Sequence, residues 1–182
     1  MQRREMSLTG VFAAVLLVLS VITGCGKGAP AYRVTEGYRS WKRTTTVELD
    51  YPIPGHGTAY RRIYISPEGE NPQRGIDGSY VYPEGTMVVK EVYRQRPTSP
   101  EQEPDMFTVM IKVPHDPRSR GGWVWLVQSG EEVMVIPDAF CESCHENANE
   151  PHPYGDGNPR GVFRDYLFFP YPPPQGNGGP DQ

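Results

Sequence analysis

Residues 86–93 read TMVVKEVY, and residues 107–113 read FTVMIKV. Both stretches are rich in β-branched and aromatic residues, and turn-forming sequence flanks each of them, which is the pattern of a β-strand. Three further stretches have the same character, and they lie at 58–66, 123–128 and 133–136. Strands at this spacing predict a mainly β domain with few helices, built on an antiparallel sheet of about five strands.

The composition agrees with a β domain and excludes other classes of protein. The 182 residues include 20 glycines and 20 prolines, a frequency that excludes a coiled coil or an all-helical repeat. The formal net charge is −4, from 18 basic and 22 acidic residues. Because this charge is slightly acidic and mixed, nothing in it predicts nucleic-acid binding.

The first 24 residues predict an export signal. Arg3 and Arg4 precede an apolar run of about 15 residues, which is shorter than the ~20 that a membrane-spanning helix needs. The run ends in ITGC at residues 22–25, and small residues before a cysteine resemble the lipobox of bacterial lipoproteins. That resemblance implies cleavage before Cys25, acylation of its sulfur and an exported protein held on a membrane by lipid. An uncleaved N-terminal anchor is the alternative.

These features divide the chain into four segments. Residues 1–24 are the predicted lipoprotein signal peptide, and residues 25–36 are the lipid anchor and tether. The β domain is expected over residues 37–169, and the Pro/Gly-rich tail at 170–182 is expected to be mobile. The mature protein is expected on the periplasmic side of a membrane, in an oxidising compartment.

A late helix, predicted over residues 138–149, carries the sequence CESCH at 141–145. This is the attachment pattern of haem c. Since positions three and four apart share one face of a helix, Cys141 and Cys144 can each add a thiol to a vinyl group of one haem. His145 then binds the iron. Export fits this interpretation, because haem c is attached outside the cytoplasm, and one covalent haem c per chain is predicted.

The motif is compatible with uses other than haem attachment. A disulfide between Cys141 and Cys144 fits an oxidising compartment, whereas a thioredoxin-like pair would need a βαβ setting. A zinc site would need four ligands, and no second cysteine pair exists in the sequence. A second axial ligand could come from histidines in Pro/Gly-rich turns, although loop histidines are more often solvated; these are His56, His115 and His152. No methionine follows His145, so a methionine ligand would come from Met87, Met106, Met110 or Met134.

The order of motifs resembles the cytochrome P-460 and cytochrome c′-beta family from about Tyr38 to Phe168. The matching segments are YRSWKR at 38–43, RRIYI at 61–65, YPEGTMVVKE at 82–91, GW at 122–123, CESCH at 141–145 and DYLF at 165–168. The resemblance implies an antiparallel β domain, often homodimeric, with one haem c. It also implies a histidine on one side of the iron and an open or weakly occupied distal side.

Lys90 is the most informative residue of this resemblance. In cytochrome P-460-type members, a lysine in the matching segment is covalently bonded to the haem edge, and cytochrome c′-beta members lack that bond. On a strand, Lys90 shares a face with Val88 and Val92, where burial would leave a neutral, nucleophilic amine. The alternative is an edge-strand lysine whose amine reaches solvent, but the resemblance favours the crosslink.

Arg61 is a second candidate site residue. It shares a predicted strand face with Ile63 and Ile65, and it matches a family arginine near the haem. A guanidinium suits a haem propionate, because its fork of donors matches a carboxylate. A surface arginine is the alternative.

The distal side departs from the hydroxylamine-oxidising members, which carry a carboxylate there to take a proton from the substrate. Met110 aligns nearest that position, and the acids that flank the strand or lie beyond it are Asp105, Asp116, Glu131 and Glu132. Either one of them reaches the pocket, or the distal side is apolar, which favours binding nitric oxide. Aromatic residues that could line such a pocket are Phe107, Trp123, Trp125 and Phe168.

The sequence therefore predicts an exported mono-haem c protein that oxidises hydroxylamine, alone or together with nitric oxide, with Lys90 and Arg61 at the site. A periplasmic partner such as another cytochrome would take the electrons. One alternative is a cytochrome c′-beta-like protein that binds nitric oxide without catalysis. The other is a periplasmic electron-transfer cytochrome with a sixth protein ligand.

Overall fold

The computed structural model describes residues 32–44, 48–50, 52, 56–57, 59–137, 139–149 and 162–168. The predicted signal peptide, Cys25, His152 and the Pro/Gly-rich tail lie outside the described residues. Among the residues that are described, no helix has the length and apolarity needed to cross a membrane.

An antiparallel sheet of six strands dominates the described part of the chain, and it confirms the mainly β fold class. The strands are β1 (Lys42–Arg43), β2 (Tyr60–Ile65), β3 (Gln73–Arg74), β4 (Tyr80–Val81), β5 (Met87–Tyr93), β6 (Met106–Lys112), β7 (Trp123–Ser129) and β8 (Glu132–Val135). The large sheet has the order β1-β2-β5-β6-β7-β8, and β3 pairs with β4 in a separate hairpin. The five strands expected from the sequence are β2 and β5–β8, and each boundary agrees to within two residues.

The strand period of two gives the sheet two different faces. One face carries Val88, Lys90 and Val92, and we call it the site face. Its buried core is a single cluster that consists of Ile65, Tyr82, Val88, Met110, Trp123, Trp125 and Leu167. Most of these side chains are large and apolar, so their removal from water stabilises the sheet and everything that packs on this face.

The opposite face, which we call the rear face, is built around a buried carboxylate. Glu91 has a fully buried side chain and accepts hydrogen bonds from the hydroxyls of Tyr38 (2.6 Å) and Tyr93 (2.8 Å). Arg39 Nε donates to the same carboxylate at 2.8 Å. A charged group can be buried at this point because three side chains, one of them positively charged, donate hydrogen bonds to it.

The late helix, α1, spans Phe140–His145 and continues as a 3₁₀ turn over Glu146–Asn149. Ala139 occupies its N-cap position without a side-chain cap, so the helix is shorter than the predicted 138–149. Tightening of the last turn into a 3₁₀ geometry is common where a helix ends. Other 3₁₀ turns lie at Tyr38–Ser40 and Pro67–Gly69.

Candidate functional site

A cavity of about 420 Å³ lies where α1 meets the site face of the sheet, and its size suits a small molecule or cofactor. Strands β2, β5, β6 and β7 and helix α1 all contribute to its wall. The described residues that line it are His56, Arg61, Val92, Met106, Thr108, Val127, Ile136, Phe140, Cys141, Ser143, Cys144 and His145. The structure therefore brings the three residues of the CESCH motif that carry chemistry to one cavity.

The two thiols of the motif both border this cavity, as expected for residues three positions apart on a helix. Cys141 is half-buried and Cys144 is exposed, and no disulfide joins them. Within the described ranges, no three His, Cys, Asp or Glu side chains come together in a way that could hold a metal ion. The arrangement suits two separate additions to one bound molecule better than it suits zinc binding.

The tautomer of His145 follows from its hydrogen bond. Its Nδ1 lies 2.8 Å from the backbone carbonyl oxygen of Tyr166. A carbonyl can only accept, so Nδ1 carries the proton and Nε2 carries the lone pair. This is the arrangement of a metal-binding histidine, in which the second ring nitrogen is held by a backbone or carboxylate oxygen.

Two of the four aromatic residues proposed for the pocket pack against His145. The rings of Trp125 and Phe168 lie 4.8 Å and 5.4 Å from the His145 ring, measured between centroids. Trp123 is fully buried in the core cluster instead. Phe107 was wrongly expected at the pocket, since its ring packs edge-on against Tyr38 at 5.5 Å on the rear face.

Lys90 lies on the site face of the sheet, beside residues that line the cavity. Thr108, which is opposite Lys90 in the strand register, and Val92, two residues further along β5, both line the cavity. Burial of the Lys90 amine and the nearby Arg61 guanidinium lower its pKa to about 7, although the cysteines oppose this shift. Because the residue belongs to central strand β5, the edge-strand alternative is wrong.

The structure places His56 at the cavity, whereas the sequence favours a solvated loop histidine. It is half-buried, and its ring borders the cavity with its centroid 6.3 Å from that of His145. Burial, helped by the charges of Lys90, His145 and Arg61, lowers the pKa of His56 to about 3, so the ring is neutral at pH 7. Its Pro/Gly-rich neighbours indicated only a turn, and no local pattern in the sequence separates it from His115, which is exposed.

Arg61 also lines the cavity, and only 1% of its surface is exposed. The surface-arginine alternative is therefore wrong. Its backbone pairs with Leu49 in both directions, which holds this part of β2 in place. A buried guanidinium beside an otherwise mainly apolar cavity favours a bound anion, such as a carboxylate of a cofactor.

None of the four acids considered for the distal side reaches the cavity. Asp105 accepts a hydrogen bond from the Arg94 backbone at 2.8 Å, Glu131 pairs with Arg33, and Glu132 is exposed. Asp116 pairs with Arg118. Met110 is buried in the core cluster. Among the described residues that line the cavity, none is Asp or Glu, so the described part of the wall holds no carboxylate.

The residues at the cavity fit a haem. The thiols of Cys141 and Cys144, which form no disulfide, can attach a haem. The His145 imidazole, with its lone pair on Nε2, can bind the iron, and the buried Arg61 guanidinium can pair with a propionate. No curated protein matches the chain. The family model described as Cytochrome P460 matches residues 35–169, which include every element of the sheet and α1. The chain therefore belongs to the cytochrome P460 family of haem-binding cytochromes.

Proposed function

We propose that this protein carries one haem c, joined to Cys141 and Cys144 through thioethers, and that it oxidises hydroxylamine. His145 is the axial ligand and binds through Nε2, the ring nitrogen that carries the lone pair. When bound, the haem supplies an iron that binds the substrate nitrogen and accepts its electrons. Conversion of hydroxylamine to nitric oxide releases three electrons and three protons, and the electrons pass to a redox partner such as a periplasmic cytochrome.

One observation carries the assignment to the hydroxylamine-oxidising branch. Lys90 lies on the cavity side of the sheet, and its Nζ is 3.1 Å from His56 Nδ1, whose ring lines the cavity. With a pKa of about 7, half of the Lys90 amines are neutral at neutral pH. A neutral amine is a nucleophile, so this position supports a covalent bond between Lys90 and the haem edge.

The crosslink has a definite balance of atoms and electrons. Formation of the bond removes one hydrogen from Lys90 Nζ and one from a haem carbon. Two protons and two electrons leave in total, so a two-electron oxidant such as a peroxide must accept the electrons. His56 is neutral at neutral pH and lies within hydrogen-bond distance of the reacting amine, so it can accept a hydrogen bond from Nζ and orient it. The released proton passes to solvent, because a ring with a pKa of about 3 is a weak base.

The remaining parts of the proposal concern where the protein works. The export signal and the lipobox-like sequence before Cys25 support a lipoprotein on the periplasmic side of a membrane. The short segment at 25–36 would link the lipid to the haem domain. A homodimer is consistent with the family and is part of the same proposal.

A second candidate function is favoured by the cavity wall. Hydroxylamine oxidation needs a group that takes protons from the substrate, and none of the described lining residues is a carboxylate. Apolar and hydroxyl side chains occupy much of the wall, including Val92, Thr108 and Val127. Such a wall suits a cytochrome c′-beta-like protein that binds nitric oxide without turning over hydroxylamine.

The absorption spectrum of the exported protein, oxidised and dithionite-reduced, separates the two candidates. A reduced Soret band far to the red of an ordinary haem c would support the crosslink, and steady turnover of hydroxylamine with an added oxidant would support the enzyme. An ordinary Soret band without turnover would support nitric oxide binding instead. A reduced protein that fails to bind carbon monoxide would point to a sixth protein ligand and to electron transfer.

A further inference from the structure

The loop that faces His145 has an unusual backbone. Asp165 and Tyr166 have φ angles of 51° and 68°, and they are the two non-glycine residues with positive φ among the described residues. Such conformations are strained for a residue with a side chain and persist only where the surroundings fix them. This loop therefore needs an anchor, and the Asp165 side chain supplies one.

The Asp165 carboxylate is buried and accepts three hydrogen bonds from separate elements. Its Oδ1 accepts from Lys112 Nζ at 2.6 Å and from Trp123 Nε1 at 3.2 Å. Its Oδ2 accepts from the backbone N–H of Tyr82 at 3.0 Å. Strands β6 and β7 and the segment after β4 thus hold one carboxylate, and the positive charge of Lys112 compensates for its burial.

A second contact fixes the residue that follows Asp165. The ring of Tyr166 lies against Gly121, and a Cβ atom at Gly121 would overlap that ring. Only a residue without a side chain leaves room for this approach. The Asp165 carboxylate holds the loop through its hydrogen bonds, and the Tyr166 ring packs against Gly121. Because both contacts restrain the loop, the Tyr166 carbonyl has little freedom to move.

We propose that Asp165 is a positioning residue for the axial histidine. It fixes the Tyr166 carbonyl, which accepts the Nδ1 proton of His145 at 2.8 Å. The fixed carbonyl sets the plane of the ring, keeps Nε2 as the iron-binding atom and makes the imidazole a stronger electron donor. The inference rests on the proposed function in one respect, namely that His145 binds the haem iron.

The test uses two variants that disturb the same carbonyl from different sides. Asp165→Asn replaces one acceptor oxygen with an amide NH2 group, which only donates, so the three donors can no longer all be satisfied. Gly121→Ala leaves the Asp165 contacts in place and pushes on the Tyr166 ring. Asp77→Asn is the control, since Asp77 lies at the exposed turn of the β3–β4 hairpin and bonds only to Ser79 among the described contacts.

The measurements are the iron–histidine stretching band of the reduced, haem-loaded protein by resonance Raman spectroscopy, and the reduction potential. In Asp165→Asn and Gly121→Ala we expect the band to shift to lower frequency and the potential to become more positive. Asp77→Asn should leave both unchanged. A role in folding alone would lower stability without moving the band of the folded fraction.

The inference is overturned if either variant folds, loads haem and keeps both the wild-type band and the wild-type potential. If Asp165→Asn fails to fold, Gly121→Ala still decides the question, because it retains every polar group of the anchor. Absence of an iron–histidine band from the wild-type reduced protein is a different result. It would contradict the proposal that His145 binds the iron while the opposite coordination position stays open, and it would therefore contradict the proposed function itself.

Discussion

Nζ of Lys90 lies 3.1 Å from Nδ1 of His56 and 3.2 Å from its Nε2, although the two residues are 34 positions apart in the chain. Burial lowers the pKa of both groups, to about 7 for Lys90 and about 3 for His56. The neutral imidazole of His56 therefore lies next to the Lys90 amine, which loses its proton near neutral pH. Burial and the nearby Arg61 charge thus give Lys90 the chemistry of a nucleophile, which an exposed lysine at that pH lacks.

Replacement of Lys90 by methionine should abolish the crosslink but preserve the thioether attachment of the haem, because the thiols of Cys141 and Cys144 are untouched. Methionine keeps most of the length and apolar volume of the lysine side chain, so the sheet should tolerate it. Denaturing mass spectrometry of haem peptides from the wild-type protein should show the segment around residue 90 joined to the segment around 141–145. In Lys90→Met the two segments should separate.

Lys42→Met is the matched control for that experiment. Lys42 is an exposed residue of β1, at the edge of the sheet, and its removal should change neither the haem peptide nor the reduced Soret band. A wild-type haem peptide that lacks the residue 90 segment would contradict the crosslink and leave the gas-binding candidate as the better one.

The rate of crosslink formation should depend on pH with a midpoint near 7. Only the neutral amine is a nucleophile, and the pKa of Lys90 is lowered from 10.5 to about 7. Below that value the neutral fraction falls about tenfold for each pH unit, and above it the fraction levels off. Haem-loaded protein matured without an oxidant would be treated with a peroxide at pH 5 to 9, and the red-shifted band followed with time.

The expected profile therefore rises up to about pH 7 and is flat by pH 8 to 9. A rate that still climbs about tenfold per unit at pH 9 would show that Lys90 titrates like an ordinary, solvated lysine. Lys90→Met provides the baseline and should give no product at any pH.

The sheet and the motif were predictable from the sequence because both depend on local patterns. Strands β5, β6 and β7 consist largely of β-branched and aromatic residues, and the spacing of the CESCH motif forces its thiols onto one side of a helix. Strands β1, β3 and β4 have two residues each, which is too short to show any periodicity.

The composition of the cavity wall was less predictable, because it depends on contacts between distant segments. Nothing within the Pro/Gly-rich segment around His56 indicates that its ring reaches Lys90 on β5. The burial of Arg61 follows from its position on β2 beneath the cavity, and a strand pattern alone is equally compatible with exposure. The anchor at Asp165 joins residues 42, 53 and 83 positions away, so no local pattern could have shown it.

Removal of the motif thiols should weaken haem attachment in steps. Cys141→Ala and Cys144→Ala should each retain haem through the one remaining thioether, and the double variant should retain it on denaturation through the Lys90 bond alone. Extraction with acidified acetone measures the covalently bound fraction. The double variant combined with Lys90→Met should release all of its haem, and haem that stays bound in this triple variant would show a further attachment point.

Loss of the buried charge at Glu91 should lower stability without altering the site. Glu91→Gln keeps the shape of the side chain but leaves one of three donors from Tyr38, Tyr93 and Arg39 without its acceptor. Burial and the Glu91 carboxylate raise the pKa of both tyrosines well above the usual range, so their hydroxyls stay protonated donors. We expect the free energy of unfolding to fall by about 1–3 kcal/mol, measured by urea denaturation.

Glu103→Gln is the comparison for that measurement, since Glu103 also pairs with Arg39 but its side chain is 80% exposed. An exposed pair contributes little, so its loss should change the free energy of unfolding by less than about 0.5 kcal/mol. The haem spectrum should stay unchanged in both variants, because Glu91 lies on the rear face while the cavity lies on the site face. Equal destabilisation by the two changes would mean that the hydrogen bonds to Glu91 contribute no more than a surface ion pair. A change in the haem spectrum of Glu91→Gln alone would mean that the two faces of β5 are coupled through Lys90.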